Sequence, residues 1–140
     1  SYMSDQLLTL GNSVAAIDEL YLWLSDPTVI TYIRNALKRV RKKESALFLA
    51  SQNLEDFTQP GLRELTRPLF SIPVHQFIFN GGNVDKKFFM DNLQLEPEEY
   101  ELIRQSQRGI CLYKCGNERY LLQVQAPEYK QALFGTAGGR

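Results

Sequence analysis

The chain is expected to fold as an α/β domain: a mostly parallel sheet flanked by helices, with a C-terminal β-hairpin and helix. Three observations predict this. The stretches Val14-Ala-Ala-Ile17 and Ser45-Ala-Leu-Phe-Leu-Ala-Ser51 are apolar runs without polar alternation, the pattern of strands covered on both faces of a parallel sheet. Between them, Ile30, Ile33, Leu37 and Val40 recur at spacings of three and four, which gives a helix one apolar stripe. Strand, helix, strand makes a βαβ unit, and its crossover hand puts the C-terminal ends of both strands on one sheet edge. Near the C-terminus, Gly109 to Cys115 and Arg119 to Gln125 flank Gly116-Asn117-Glu118, a hairpin with glycine and asparagine where positive φ is required.

Composition narrows the function classes. The 140 residues suffice for one domain with a real core, and 44% apolar with 23% charged residues is ordinary for a globular chain. Formal net charge is zero, so any attraction to nucleic acid or membrane must come from a local patch. No apolar run reaches the roughly 18 residues of a membrane span, and no secretory leader pattern is visible. The two cysteines, Cys111 and Cys115, fall about 13 Å apart on one strand, too far for a disulfide. With a single histidine in the chain they make no zinc site. They read as buried thiols of a reducing compartment.

Taken in order, Leu7, Leu8 and Leu10 suit a short helix and Gly11-Asn12 a turn; residues 1–12 and 135–140 are expected to be flexible ends. The first strand then runs into Asp18 and Glu19 at its C-terminal end, the end at which open α/β sheets bind ligands. An apolar strand ending in Asp-Glu is the Walker B pattern of nucleotide-hydrolysing proteins. Its first acid holds Mg²⁺ through water and its second orients or deprotonates the attacking water. The plainer alternative is a pair of acids capping a turn. After Leu20-Tyr-Leu-Trp-Leu24, Asp26 caps and Pro27 opens a helix to about Lys43. Its other face carries Arg34, Lys38, Arg39, Arg41, Lys42 and Lys43. These are either a solvated face near the helix C-terminus or the source of an arginine that reaches a phosphate, in cis or on a neighbouring subunit.

The second strand ends in Ser51-Gln52-Asn53. If the two strands are neighbours, Gln52 stands near Asp18 and Glu19, where an amide can contact a terminal phosphate or the attacking water; alternatively it caps the next turn. Asn53 to Gln59 is a loop or short helix. Pro60 opens a helical stretch holding Leu62, Leu65 and Leu69, which Pro68 is expected to close. His75 to Phe79 is a third strand, with His75 an ordinary strand-edge residue. Asn80-Gly-Gly-Asn83 is a loop without phosphate-loop spacing. Asp85 caps a helix over Lys86 to Leu93, and Glu96-Pro97 opens another to about Gln105. Ala126-Pro127 starts a last helix that Gly135 stops.

Several of these stretches together resemble the C-terminal part of the conjugative-transfer ATPases of type IV secretion systems, in the version carried by conjugative transposons. They are Ile17-Asp-Glu-Leu-Tyr-Leu-Trp-Leu24, Tyr32-Ile-Arg-Asn35, Lys38-Arg-Val-Arg-Lys-Lys43, Leu49-Ala-Ser-Gln-Asn-Leu-Glu-Asp-Phe57 and Arg108-Gly-Ile-Cys-Leu-Tyr-Lys-Cys-Gly-Asn117. The resemblance spans about Val14 to Arg140. It implies a RecA-like P-loop fold, a homohexamer, ATP with Mg²⁺, partners among the secretion-channel proteins, indirect DNA contact, and a place at the inner face of the cell membrane. On it, Asp18 is the Mg²⁺ acid, Glu19 the catalytic acid, Gln52 the phosphate sensor, and Arg39 or Arg41 a candidate finger.

The sequence departs from the family in one respect: it contains no G-x-x-x-x-G-K-[ST] loop, so the backbone cradle for the phosphates is missing. The chain is therefore expected to be a fragment, residues 1–140 from the Walker B strand onward. It is expected to be inactive in ATP hydrolysis by itself and to self-associate through an uncovered sheet edge. The competing expectation is a non-enzymatic DNA- or partner-binding module that uses the basic helix face.

Overall fold

In the computed structural model, which describes residues 2–52, 54–59, 61–105 and 107–135, the chain forms two compact units where the sequence suggests one. The first holds residues 1–74 and 81–96, the second 75–80 and 97–140. Asn53, Pro60 and the tail after Gly135, all given roles above, lie outside the described residues.

The first unit is built on two parallel strands, β1 (Val14–Ile17) and β2 (Ala46–Leu49), paired from Val14 with Ala46 to Ile17 with Leu49. Helix α1 is a single turn, Tyr2–Ser4, continued by a wide helical turn Asp5–Leu10. Its Leu7 and Leu8 are buried with Val40, and Leu10 faces solvent. Helix α2 (Pro27–Arg39) joins the strands. It starts where the Thr28 amide donates to the Asp26 carboxylate at 2.8 Å, with Pro27 in the first turn, as the cap chemistry requires. It tightens into a 3₁₀ turn over Val40–Lys43. Ile30, Ile33 and Ala36 are buried, and the two isoleucines pack with Leu20, Leu24, Phe57 and Leu69.

Helix α3 (Arg63–Ser71) contributes Leu69 to that cluster and runs three residues past Pro68, which was expected to close it. A proline removes the hydrogen bond of its own nitrogen and crowds the carbonyl four residues back, yet the ladder resumes where the Ile72 amide donates to the Pro68 carbonyl at 3.0 Å. Helix α4 (Lys86–Leu93) is capped by Asp85, whose carboxylate accepts from the Phe88 amide at 2.8 Å.

One expectation fails here. β1 and β2 were expected to be covered on both faces, yet only Ala15, Ile17, Leu47 and Leu49 pack inward. Val14 is 71% and Phe48 60% exposed, and Ala16 is exposed between them. The runs lack alternation because both faces are apolar, although the described helices reach only one.

The second unit is an antiparallel sheet in the order β3 (His75–Ile78), β4 (Ile110–Cys115), β5 (Glu118–Gln123). The mostly parallel sheet expected above is therefore corrected: β3 joins the hairpin, not the parallel pair. Register explains it, since pairing Phe77 with Tyr113 and Tyr113 with Tyr120 lines three rings across the strands, and cross-strand aromatic pairs stabilise such ladders. Phe77 and Tyr113 stack at 4.6 Å between ring centroids.

Helix α5 (Pro97–Arg104) lies against β4 and buries Ile103. Glu99 ties it to β5 through Arg119 at 3.1 Å. Cys115 pairs with Glu118, leaving Gly116-Asn117 as the turn; Gly116 has φ +58° while Asn117 does not enter the positive region. The cysteines are free, Cys111 buried and Cys115 half-buried. Helix α6 (Glu128–Phe134) leaves Tyr129, Leu133 and Phe134 exposed. Among the described residues no helix is long and apolar enough to cross a membrane.

Candidate functional site

The C-terminal ends of β1 and β2 are held together by one residue. The Ala50 amide donates to the Ile17 carbonyl at 2.9 Å, and the Ala50 carbonyl accepts from the Leu20 amide at 2.9 Å. Asp18 and Glu19 lie between these two pinned points, so the chain must turn within two residues. Glu19 makes the turn in the left-handed region, φ +49° and ψ +48°. For a residue with a Cβ this costs about 1–2 kcal/mol, and it persists because the flanking bonds leave no other path. The Glu19 amide donates to the Asp18 carboxylate at 2.8 Å.

Across the strand ends, the Gln52 side-chain Nε2 donates to Glu19 Oε1 at 2.7 Å. The other Glu19 oxygen, Oε2, is shielded from solvent and makes no hydrogen bond. Asp18 and Gln52 are exposed. The structure thus brings together three of the residues singled out by sequence: Asp18, Glu19 and Gln52. The arrangement offers one exposed carboxylate, a second carboxylate fixed in direction, and an amide that touches the second while open to solvent.

Arg39 and Arg41 are not part of this cluster. The Asn12 amide donates to the Lys43 carbonyl at 3.0 Å, the Ser45 amide to the Val40 carbonyl at 3.1 Å, and the Ala46 amide to the Ser13 carbonyl at 2.9 Å. The basic run therefore lies where β1 and β2 begin. A four-residue strand separates its two ends by about 10 Å, so within one chain these arginines stand at the far end from the acids. Arg39 and Arg41 are exposed; Arg34 is half-buried, its Nε shielded and unpartnered.

Among the described residues no three His, Cys, Asp or Glu side chains converge as a metal cage. Mg²⁺ in nucleotide sites needs no such cage, since one or two carboxylates suffice beside substrate phosphates and water. The exposed Asp18 carboxylate fits that mode. His75 sits on an edge strand of the second unit, its Nδ1 2.8 Å from the Tyr113 hydroxyl, an ordinary strand-edge setting.

Sequence reasoning missed Ala50. Its contribution is made by backbone atoms, so nothing in its side chain signals it.

No family model matches the chain. Over 102 residues it is 30% identical to the type IV secretion system protein CagE of Helicobacter pylori, a match taking in 72% of the chain and 10% of that protein. The solved structure of VirB4 of Thermoanaerobacter pseudethanolicus superposes with a TM-score of 0.79 at 25% identity, covering 88% of the chain and 34% of that structure. The chain spans a minor part of each.

Proposed function

We propose that this chain, a segment of a VirB4-like type IV secretion traffic ATPase, carries the metal and water side of an ATP-hydrolysing site at the ends of β1 and β2. The observation that carries this reading is the Gln52–Glu19 hydrogen bond across neighbouring parallel strands, directly after Asp18. Asp18 would hold Mg²⁺, and the ion would supply charge neutralisation at the transferred phosphoryl group. Glu19 orients the attacking water and accepts its proton, and Gln52 contacts the terminal phosphate. β1 and β2 belong to a larger RecA-like P-loop sheet. Their bare outer face supports this, as does the lack of a second neighbour for either strand among the described residues, because parallel sheets are covered on both faces.

The ATPase works as a homohexamer at the inner face of the membrane and powers conjugative DNA transfer or substrate delivery through the secretion channel. With their own acids at the other strand end, Arg39 and Arg41 serve a neighbouring subunit's phosphate. These 140 residues contain no phosphate-cradling loop, so the chain alone turns over no ATP.

The test is kinetic, in the longer protein that contains this segment. Glu19→Gln lowers kcat by about 10²-fold or more with nucleotide still bound, and Asp18→Asn raises the Mg²⁺ requirement. Full turnover by Glu19→Gln overturns the reading; glutamate-dependent turnover by the purified 140-residue chain overturns the statement that the chain alone is inactive.

A second reading, DNA contact by the basic run, draws on the exposure of Lys38, Arg39, Arg41, Lys42 and Lys43. It requires DNA binding by this chain that weakens steeply with salt.

A further inference from the structure

We infer that Gln52 is a positioning residue that acts through Glu19: its side-chain amide aims the Glu19 carboxylate, coupling a ligand at the end of β2 to the base at the end of β1. The inference rests on the reading of Asp18 and Glu19 given above and adds a division of labour within that site.

Four observations carry it. The Gln52–Glu19 bond is the one hydrogen bond that the Glu19 side chain makes among the described residues. Without it no hydrogen bond fixes the direction of the carboxylate. The bond joins residues 33 apart in sequence, so it reports the spacing of β1 and β2 and not a local turn. That spacing is preset, because Ala50, two residues before Gln52, bonds on both sides of Asp18-Glu19. Finally, Gln52 is exposed. An amide has two N–H donors and an acceptor oxygen, and one donor is spent on Glu19. The remaining N–H and the oxygen can meet a phosphate oxygen or a water without releasing the carboxylate. A neutral amide suits this post: a lysine or arginine would neutralise the base, and an acid would repel it.

Two readouts test this, one of them independent of turnover. In the 140-residue chain at neutral pH, the Gln52 side-chain amide resonance is followed by ¹⁵N NMR. Glu19→Gln moves it strongly, and Arg39→Ala leaves it in place. A Gln52 amide with the shift of a free glutamine, unmoved by Glu19→Gln, overturns the inference.

In the longer ATPase, Gln52→Ala lowers kcat about 10- to 100-fold, the range for groups that orient a reacting group, and Glu19→Gln lowers it further. Because the two act as a unit, the double variant is no slower than Glu19→Gln alone. Multiplying effects mean that Gln52 acts on the phosphate independently, and the inference fails while the site assignment stands. A harmless Glu19→Gln fails the site assignment itself. Gln52 is exposed, so its alanine variant folds, and an unchanged thermal midpoint verifies this.

Discussion

Asn12 and Lys43 are joined backbone to backbone, N–H to carbonyl at 3.0 Å. That single bond places the end of the basic run beside the start of β1, with the strand's length between it and Asp18. The charges at the two ends of the pair are therefore set apart within one chain. Arg39→Ala and Arg41→Ala, both at exposed positions, are each expected to change unfolding free energy by less than about 0.5 kcal/mol. Under the proposed function, either one lowers the turnover of the longer protein. Urea unfolding of the chain beside turnover of the assembly separates the two effects.

Gly11 precedes that bond and makes it geometrically feasible. It has φ +78°, and a Cβ built there falls 2.5 Å from the Lys43 carbonyl oxygen. That atom belongs to the backbone and cannot swing aside. Gly11→Ala combines a left-handed penalty with a clash, so it is expected to destabilise the chain by about 1–3 kcal/mol. An urea midpoint equal to wild type would show that the turn relaxes at no cost.

Glu19 holds a left-handed backbone with a carboxylate oxygen that is shielded and unpartnered. Both features cost stability, and only the bond from Gln52 offsets them. Glu19→Gly removes the strain and the shielded oxygen together. It is expected to raise unfolding free energy by about 1 kcal/mol while abolishing the proposed activity, a trade common at functional sites. A destabilised glycine variant would mean that the glutamate side chain contributes packing that outweighs its strain.

In the second unit, Lys114 is buried on β4. Burial pushes its amine below the ordinary value of 10.5, nearby Arg119 pushes the same way, and Glu99 opposes them. The sign of the linkage follows. Between the lowered value and 10.5 the unfolded chain holds a proton that the folded chain has released, so stability rises with pH across that interval. The destabilising contribution is complete below it. Tyr113 and Tyr120 contribute in the opposite direction. Their hydroxyls are held above the ordinary 10.0, Tyr113 first by a hydrogen bond with Cys115 and Tyr120 first by one to Glu118, so the folded chain keeps those protons longer. Unfolding free energy measured from pH 8 to 11 in wild type and in Lys114→Met isolates the lysine. The difference between the two is expected to narrow as pH rises; a constant difference contradicts the assignment.

Much of the local structure was legible. Asp26-Pro27 and Asp85 start their helices through bonds to amides two and three residues away, and the spacing of Ile30, Ile33 and Val40 marks the buried stripe of α2 and the turn after it. Asp18, Glu19 and Gln52 could be singled out because the acids follow one apolar run and the amide another. Contacts made between distant segments were beyond reach. The partner of β3, the uncovered face of β1 and β2, and the division into two units all depend on which surfaces meet, and the apolar patterns were compatible with either outcome.

The amino-acid order alone thus specified where helices and strands begin, because caps, turns and periodic stripes are interactions among near neighbours. The folded chain set the distances between them. Glu19 bends left-handed because Ala50 pins the chain on both sides of it, and it faces Gln52 because β1 and β2 pair in one register. Arg39 and Arg41 lie at the opposite strand end because α2 carries the chain back to the start of the sheet. Such relations join positions tens of residues apart, and they exist only once the backbone bonds between those positions are made.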